Sequence, residues 1–157
     1  MYVLDSSAII DLHDHFPPRH LRNKLLGLAK RSEMRIPEGV CREIKRQTDV
    51  ARGTVEALAT KFPGCIATMR SSPDLQTAFA RTERLYGEKI RVGKQEYPGF
   101  WHSPSGKKSA DGQVVAVAKI LRSTAISDDK AIQRACLCED VPCIGWTEFA
   151  RRCMLYE

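Results

Sequence analysis

Two short apolar runs, each ending at an acid, most constrain how this chain can fold. The run 2–4 leads directly into Asp5, and the run 124–126 leads through Ser127 into Asp128 and Asp129. Short apolar runs of this kind predict buried strands. The carboxyl ends of parallel strands share one edge of a sheet, and ligands bind at that edge. The acids that follow these two runs are therefore predicted to meet in space, although they lie far apart in the sequence.

Strand and helix patterns alternate along the rest of the chain. Apolar spacing predicts further strands at 34–36 and 141–144. It also predicts a helix that begins at Pro37 and further helices at 19–31, 55–62, 74–86, 130–138 and 147–153. The apolar stretch 113–121 fits either a buried strand or a buried helix, and Ser109 as a cap together with the alanines favours a helix. This alternation predicts an α/β layer fold with a largely parallel sheet. A chain of 157 residues fits one domain spanning 1–157.

The segment 87–108 is rich in Gly, Pro and basic residues and is predicted to be an irregular connection. Connections of this length inside a compact domain are usually functional or mobile. It contains Trp101, Lys107 and Lys108 and leads into Asp111. Cations hold phosphates and aromatic rings stack on unpaired bases, so these three residues are candidates for RNA contact. The alternative is a loop that is pinned by its own aromatic side chains.

Charge and cysteine content restrict the partners and the compartment. The formal net charge of +6 suits a polyanionic partner, either a nucleic acid or an acidic protein. No apolar run is long enough to cross a bilayer, and the N-terminal run is too short for a signal peptide, so a cytoplasmic protein is expected. The cysteines are then expected as reduced thiols in the core. A zinc site is the alternative, but the spacing of Cys136, Cys138, Cys143 and Cys153 is not that of the usual CxxC pairs.

Carboxylates recur at the ends of predicted elements or beside an apolar helix face. Converged carboxylates repel one another, and a bound cation reverses that cost. Mg²⁺ or Mn²⁺ is the expected guest, because both prefer oxygen ligands and support phosphodiester hydrolysis. The candidates for such a centre are Asp5, Glu43, Asp111 and Asp129, with Asp128 as a further metal ligand.

Each of these acids also has an ordinary structural explanation. Asp5 fits a helix N-cap, Glu43 fits a surface ion pair, and Asp111 is typical of a helix N-terminus. Either Asp128 or Asp129 can cap the following helix while the other takes the metal role. The order and context of the acids, and no single one of them, carry the prediction.

Neighbouring residues narrow the chemistry further. Glu38 is a rival to Glu43, but its place in a first helical turn suits the helix dipole. A haloacid-dehalogenase-like phosphatase needs Asp-x-Asp after the first strand, and Ser7 stands at the third position here. A receiver domain needs an acidic pair after that strand, and Asp5 is single.

The set of motifs resembles the PIN-domain nucleases, and within them the VapC-like toxins of type II toxin–antitoxin pairs. The resemblance extends from Tyr2 to about Phe149, and its four motifs are 2–10, 36–44, 110–118 and 124–130. It implies a three-layer α/β/α PIN-like domain with a short, mostly parallel central sheet.

The resemblance also implies a function and a site. Asp5, Glu43, Asp111 and Asp129 would hold Mg²⁺ and cut RNA, and Ser7 and Ser127 would support them by hydrogen bonds. A cognate antitoxin is the implied partner, and a homodimer is one option for the assembly. Two other functions stay open: a catalytically silent module that binds RNA or protein, and a nuclease directed at DNA.

Overall fold

The computed structural model describes residues 1–47 and 49–156, and a five-stranded parallel sheet forms the centre of this part. The strand order is β3-β2-β1-β6-β7, and each neighbouring pair is parallel. A separate antiparallel hairpin pairs β4 with β5. The strands are β1 (Tyr2–Leu4), β2 (Met34–Pro37), β3 (Ile66–Ala67), β4 (Lys89–Val92), β5 (Gln95–Pro98), β6 (Thr124–Ile126) and β7 (Cys143–Ile144).

Helices cover both faces of this sheet, which gives the three-layer α/β/α fold. One group contains α1–α4 and α8, and the other contains α5, α6 and α7; members of each group contact one another. The helices are α1 (Ser6–His15), α2 (Pro18–Lys30), α3 (Glu38–Gln47), α4 (Asp49–Lys61), α5 (Pro73–Tyr86), α6 (Asp111–Ile120), α7 (Lys130–Glu139) and α8 (Trp146–Arg152).

The central position of α6 explains its composition. It packs on β1, β2 and β6 on one side and on α5 and α7 on the other. Every residue from Asp111 to Ala118 is buried, so nearly all of its faces need apolar or small side chains. The prediction of a helix rather than a strand for 113–121 is confirmed.

The chain direction brings the ends of several elements to one edge. The crossover from α6 into β6 is short, so the N-terminus of α6 lies at the edge where the parallel strands end. Helices α1 and α7 begin at that edge, because each follows a strand after a few residues. Asp5 caps α1 and Asp129 caps α7, in each case through a side-chain oxygen that accepts a backbone N–H.

Two local predictions are wrong, and one strand is not predicted at all. The segment 87–108 is not irregular, because it contains the β4–β5 hairpin and two short 3-10 turns, Phe100–His102 and Gly106–Lys108. Pro37 ends β2 instead of opening α3. Strand β3 was not predicted, since its two residues are too few to form a pattern.

No helix in the part of the chain that the structure describes is long and apolar enough to span a membrane.

Candidate functional site

All four predicted carboxylates line one cavity at the carboxyl edge of the sheet. The volume of this cavity is about 170 Å³. The acids come from four separate places in the chain: the end of β1, the middle of α3, the start of α6 and the loop before α7. The lining residues are Asp5, Ser6, Ser7, Glu43, Ser103, Pro104, Ser105, Ser109, Asp111 and Asp129.

Asp5 is buried and held by donors on both of its oxygens. The Ser6 backbone N–H donates to Oδ1 at 2.7 Å, while the hydroxyls of Ser7 and Ser127 donate to Oδ2 at 2.7 and 2.8 Å. The hydrogen bonds predicted from Ser7 and Ser127 are therefore present. The helix-cap reading of Asp5 is also confirmed, so one side chain caps α1 and faces the cavity.

Glu43 is buried, and its ordinary reading as a surface residue is wrong. The Ser6 hydroxyl donates to Oε2 at 2.7 Å, and the Ala110 backbone N–H donates to Oε1 at 2.7 Å. Ser6 therefore lies between Glu43 and Asp5, and Ala110 ties α3 to the start of α6. Glu38 instead accepts a hydrogen bond from the Met69 backbone N–H at 3.2 Å and does not line the cavity.

Asp111 is the least satisfied carboxylate of the four. Its side chain is 8 % exposed, and Oδ2 has no hydrogen-bond partner among the described residues. Burial, together with the negative charges of Asp5 and Asp129, raises its pKa to about 8. A buried, unpartnered acceptor beside like charges is costly, so this oxygen points to a missing partner.

The pKa of Asp5 is also raised, but by less than that of Asp111. Burial raises its pKa to about 6, and the hydrogen bonds from Ser7 and Ser127 oppose that rise. The charge of Asp129 adds to the rise. Burial and the neighbouring charges therefore make the charged forms of these carboxylates costly, and a bound cation would reverse that cost.

The structure separates the two adjacent acids that follow β6. Asp129 lines the cavity, and its Oδ1 accepts the Ile132 backbone N–H at 3.0 Å. Asp128 is not among the lining residues, and its Oδ2 accepts the Trp146 backbone N–H at 3.1 Å. Asp128 is thus a contact of the α8 N-terminus, and its predicted role as a further metal ligand is not supported by its position.

The three candidate RNA-contact residues lie beside the cavity rather than in it. The Nζ of Lys107 is 4.9 Å from the centre of the Trp101 ring, and the Trp101 Nε1–H donates to Glu83 Oε2 at 2.5 Å. Lys107 and Lys108 are exposed in the 3-10 turn that ends just before the cavity residue Ser109. The segment is pinned by its own aromatic side chain, and its cations still face solvent near the cavity mouth.

Sequence reasoning missed two of the five serines that line the cavity, Ser103 and Ser105. Ser109 was predicted as a helix cap, and its Oγ accepts the Asp111 backbone N–H at 3.1 Å. Ser103 and Ser105 line the cavity although no motif includes them. The serine-rich composition of 103–109 was the only signal available, and it does not reveal which side chains turn inward.

The oxygen atoms of the lining side chains are the type of ligand that a hard cation prefers, but the side chains do not surround a single point. Among the described residues, no group of three or more His, Cys, Asp or Glu side chains that could hold a metal ion is found. Serine hydroxyls and backbone amides donate to the oxygens of Asp5 and Glu43 in this structure. The six cysteines are all free thiols.

Comparison of this chain with models of protein families, with curated proteins and with solved structures finds no match.

Proposed function

We propose that this protein is a divalent-metal-dependent nuclease that hydrolyses phosphodiester bonds of RNA. The observation that carries the proposal is the convergence of Asp5, Glu43, Asp111 and Asp129 on one cavity, with an oxygen of Asp111 left unpartnered. Retaining four acids in one place has a cost in electrostatic free energy, and a cation that enters the cavity relieves it.

The chemistry of the residues present suits Mg²⁺ or Mn²⁺ on three counts, although in the described residues their side chains do not form a closed metal-holding group. The side chains that line the cavity offer only oxygen atoms, which both ions prefer. Burial, with a smaller contribution from neighbouring negative charges, raises the pKa of Asp5 and of Asp111, and a cation in the cavity would stabilise their charged forms. The unpartnered Asp111 oxygen gives a free acceptor. Asp5, Glu43, Asp111 and Asp129 would hold the ion, which when bound supplies activation of a water molecule and neutralisation of phosphate charge.

The other residues of the site hold these carboxylates in place. Ser7 and Ser127 fix Oδ2 of Asp5, and Ser6 fixes Glu43 relative to Asp5. Such hydrogen bonds orient a ligand and hold it for the ion, as second-sphere donors do in metal sites generally. Asp129 is fixed by its own helix cap.

RNA as the substrate and a toxin as the biological role rest on the resemblance of the motifs to VapC-like PIN-domain nucleases. The net charge of +6 agrees with a polyanionic substrate but does not separate RNA from DNA. An unrestrained ribonuclease damages its host, so we further propose a cognate antitoxin. Such a partner would place a basic side chain among the carboxylates and its acids on nearby lysines such as Lys107 and Lys108.

Metal-dependent cleavage of a transcript pool, with mapped ends, tests the proposal directly. Cleavage in Mg²⁺ or Mn²⁺, none in EDTA and little in Ca²⁺ is the expected result, because Ca²⁺ favours a looser coordination. Asp5→Asn should be folded and inactive, while Asp14→Asn, an exposed acid of α1, should match the wild type. A parallel single-stranded DNA pool separates the two substrates. Cleavage that persists in EDTA, or binding of RNA without any cleavage, would overturn the proposal.

A further inference from the structure

One wall of the carboxylate cavity comes from a segment that lies outside the four acidic motifs. We call this segment, residues 99–109, the strap. Its Ser103, Pro104, Ser105 and Ser109 line the cavity together with the carboxylates. The strap follows the β4–β5 hairpin and ends two residues before α6. In the chain the strap lies between β5 and α6, and in space it forms part of the cavity wall.

The base of the strap is firmly attached to the protein. Phe100 is fully buried, and the backbone N–H of Trp101 donates to the Gly87 carbonyl at 2.8 Å. The indole of Trp101 donates to Glu83 of α5 at 2.5 Å. A side chain on Gly99 would overlap the Tyr86 and Gly87 carbonyls, so the backbone approaches α5 as closely as only glycine permits. The strap thus holds its serines in fixed places instead of leaving them to a free loop.

Ser103 has an unusual position in this wall. Its hydroxyl oxygen is buried and has no hydrogen-bond partner among the described residues. The hydroxyls of Ser6 and Ser7 donate to carboxylates of the same cavity, so they are already committed. A buried hydroxyl without a partner costs free energy, and few such groups occur in native proteins. Because Ser103 lines the cavity, a rotation about its Cα–Cβ bond would offer the hydroxyl to a group that enters there.

We infer that the Ser103 hydroxyl donates its hydrogen bond to a non-bridging oxygen of the substrate phosphate that is being cleaved. This inference rests on the proposed nuclease function and assigns a substrate contact within it. A phosphate entering an acidic cavity needs donors, and Ser103 is a neutral donor that carries no competing bond. Lys108 adds a cation close by, because it is exposed and has no ion-pair partner among the described side chains.

The cavity of about 170 Å³ has room for a phosphate and its immediate neighbours. Ser103 would fix the phosphate from the strap side, while the carboxylates act from the sheet side.

The test compares Ser103→Ala with Ser71→Ala, which removes an exposed hydroxyl bonded to the Thr68 carbonyl. A hydrogen bond to a charged group predicts a loss in kcat/KM of roughly 10- to 100-fold for Ser103→Ala. Ser71→Ala should keep the wild-type value, and Ser103→Thr should recover most of it because the hydroxyl returns. The melting temperature of Ser103→Ala should equal or exceed that of the wild type, because the variant loses a buried hydroxyl without a partner. Its Mn²⁺ affinity should match the wild type, and the two results together separate a substrate contact from damage to the fold or the metal ligands.

A phosphorothioate substrate locates the contact on the phosphate itself. Sulfur is a poor acceptor, so replacing the contacted non-bridging oxygen should slow the wild type and should have a smaller effect on Ser103→Ala. The other diastereomer should slow both proteins by the same factor. Equal effects of both diastereomers on the two proteins would overturn the inference, as would a wild-type kcat/KM for Ser103→Ala.

A binding experiment keeps this inference distinct from the proposed function. Labelled single-stranded RNA is titrated with Asp5→Asn and with Asp5→Asn/Ser103→Ala in the presence of Mg²⁺. About 10-fold weaker binding by the double variant is expected. If the wild-type protein cleaves no nucleic acid, the proposed function fails, and equal binding by the two variants then overturns the role of Ser103 as well. A buried water as the partner of Ser103 also predicts equal binding.

Discussion

Replacing Asp111 by Asn should stabilise the metal-free protein at neutral and alkaline pH while removing its activity. The side chain of Asp111 is 8 % exposed, and its carboxyl shares the cavity with Asp5, Asp129 and Glu43. Burial and the neighbouring charges raise its pKa from 3.8 to about 8. The folded protein therefore carries a proton on Asp111 at pH 7 that the unfolded chain has lost.

The size of the effect follows from this difference in proton binding. Because the folded state binds the proton more tightly than the unfolded chain, the free energy of unfolding falls as the pH rises from about 4 to about 8. At pH 7 the accumulated loss from this one group is about 4 kcal/mol. Asn has the same shape and does not titrate, so Asp111→Asn should be more stable by up to that amount at pH 7 and by little at pH 4.

Urea unfolding in EDTA, repeated between pH 4 and pH 8.5, measures this directly. The wild-type free energy of unfolding should decline with pH, and that of Asp111→Asn should decline less. Asp14→Asn serves as the matched control, because this exposed acid lies on α1 outside the cavity and should change stability by less than about 0.5 kcal/mol. Mg²⁺ should restore stability to the wild type at pH 8 and do so less for Asp111→Asn. Identical pH slopes for the two proteins would refute the reasoning.

Three further outcomes are expected from the same geometry. Glu43→Gln should reduce cleavage at least 100-fold, because it replaces a carboxylate that joins Ser6 to the start of α6. Glu38→Gln should change cleavage less than 3-fold. A reversed result would mean that the second motif is misplaced. Gly99→Ala should lower both the melting temperature and kcat/KM, because its methyl group overlaps backbone carbonyls, while Gly64→Ala meets nothing within 4 Å and should be silent in both assays. Expression of the wild type alone should arrest growth and Asp5→Asn should not, and equal tolerance of both would contradict the toxin role.

Local pattern was sufficient where a feature depends on neighbours in the sequence. The apolar run 2–4 followed by Asp5 predicts a buried strand and a carboxylate at its end, and both are present. The same holds for 124–126 and the acids behind it. A parallel sheet then brings Asp5 and Asp129 together without further information, since the topology fixes which ends meet.

The features that local pattern missed depend on contacts between distant residues. The segment 87–108 has the pattern of an irregular connection because its β4–β5 hairpin is held by packing on α5 and α7, which no local spacing encodes. Strand β3 has two residues and exists because β2 offers it an edge to pair with. Such elements are decided by tertiary packing and not by intrinsic propensity.

The sequence by itself therefore determined the fold class and the meeting of Asp5 with Asp129, because the strand runs and the acids behind them occupy adjacent positions. Glu43 and Asp111 follow no strand, and their selection depended on the order and context of the motifs. Only the tertiary structure decided that Asp129 faces the cavity while Asp128 turns to Trp146, since the two differ only in where the backbone points them. The unpartnered oxygens of Ser103 and Asp111 were likewise invisible before folding. A hydrogen bond that is missing can be recognised only when every neighbour is in place, and those neighbours come from residues far apart along the chain.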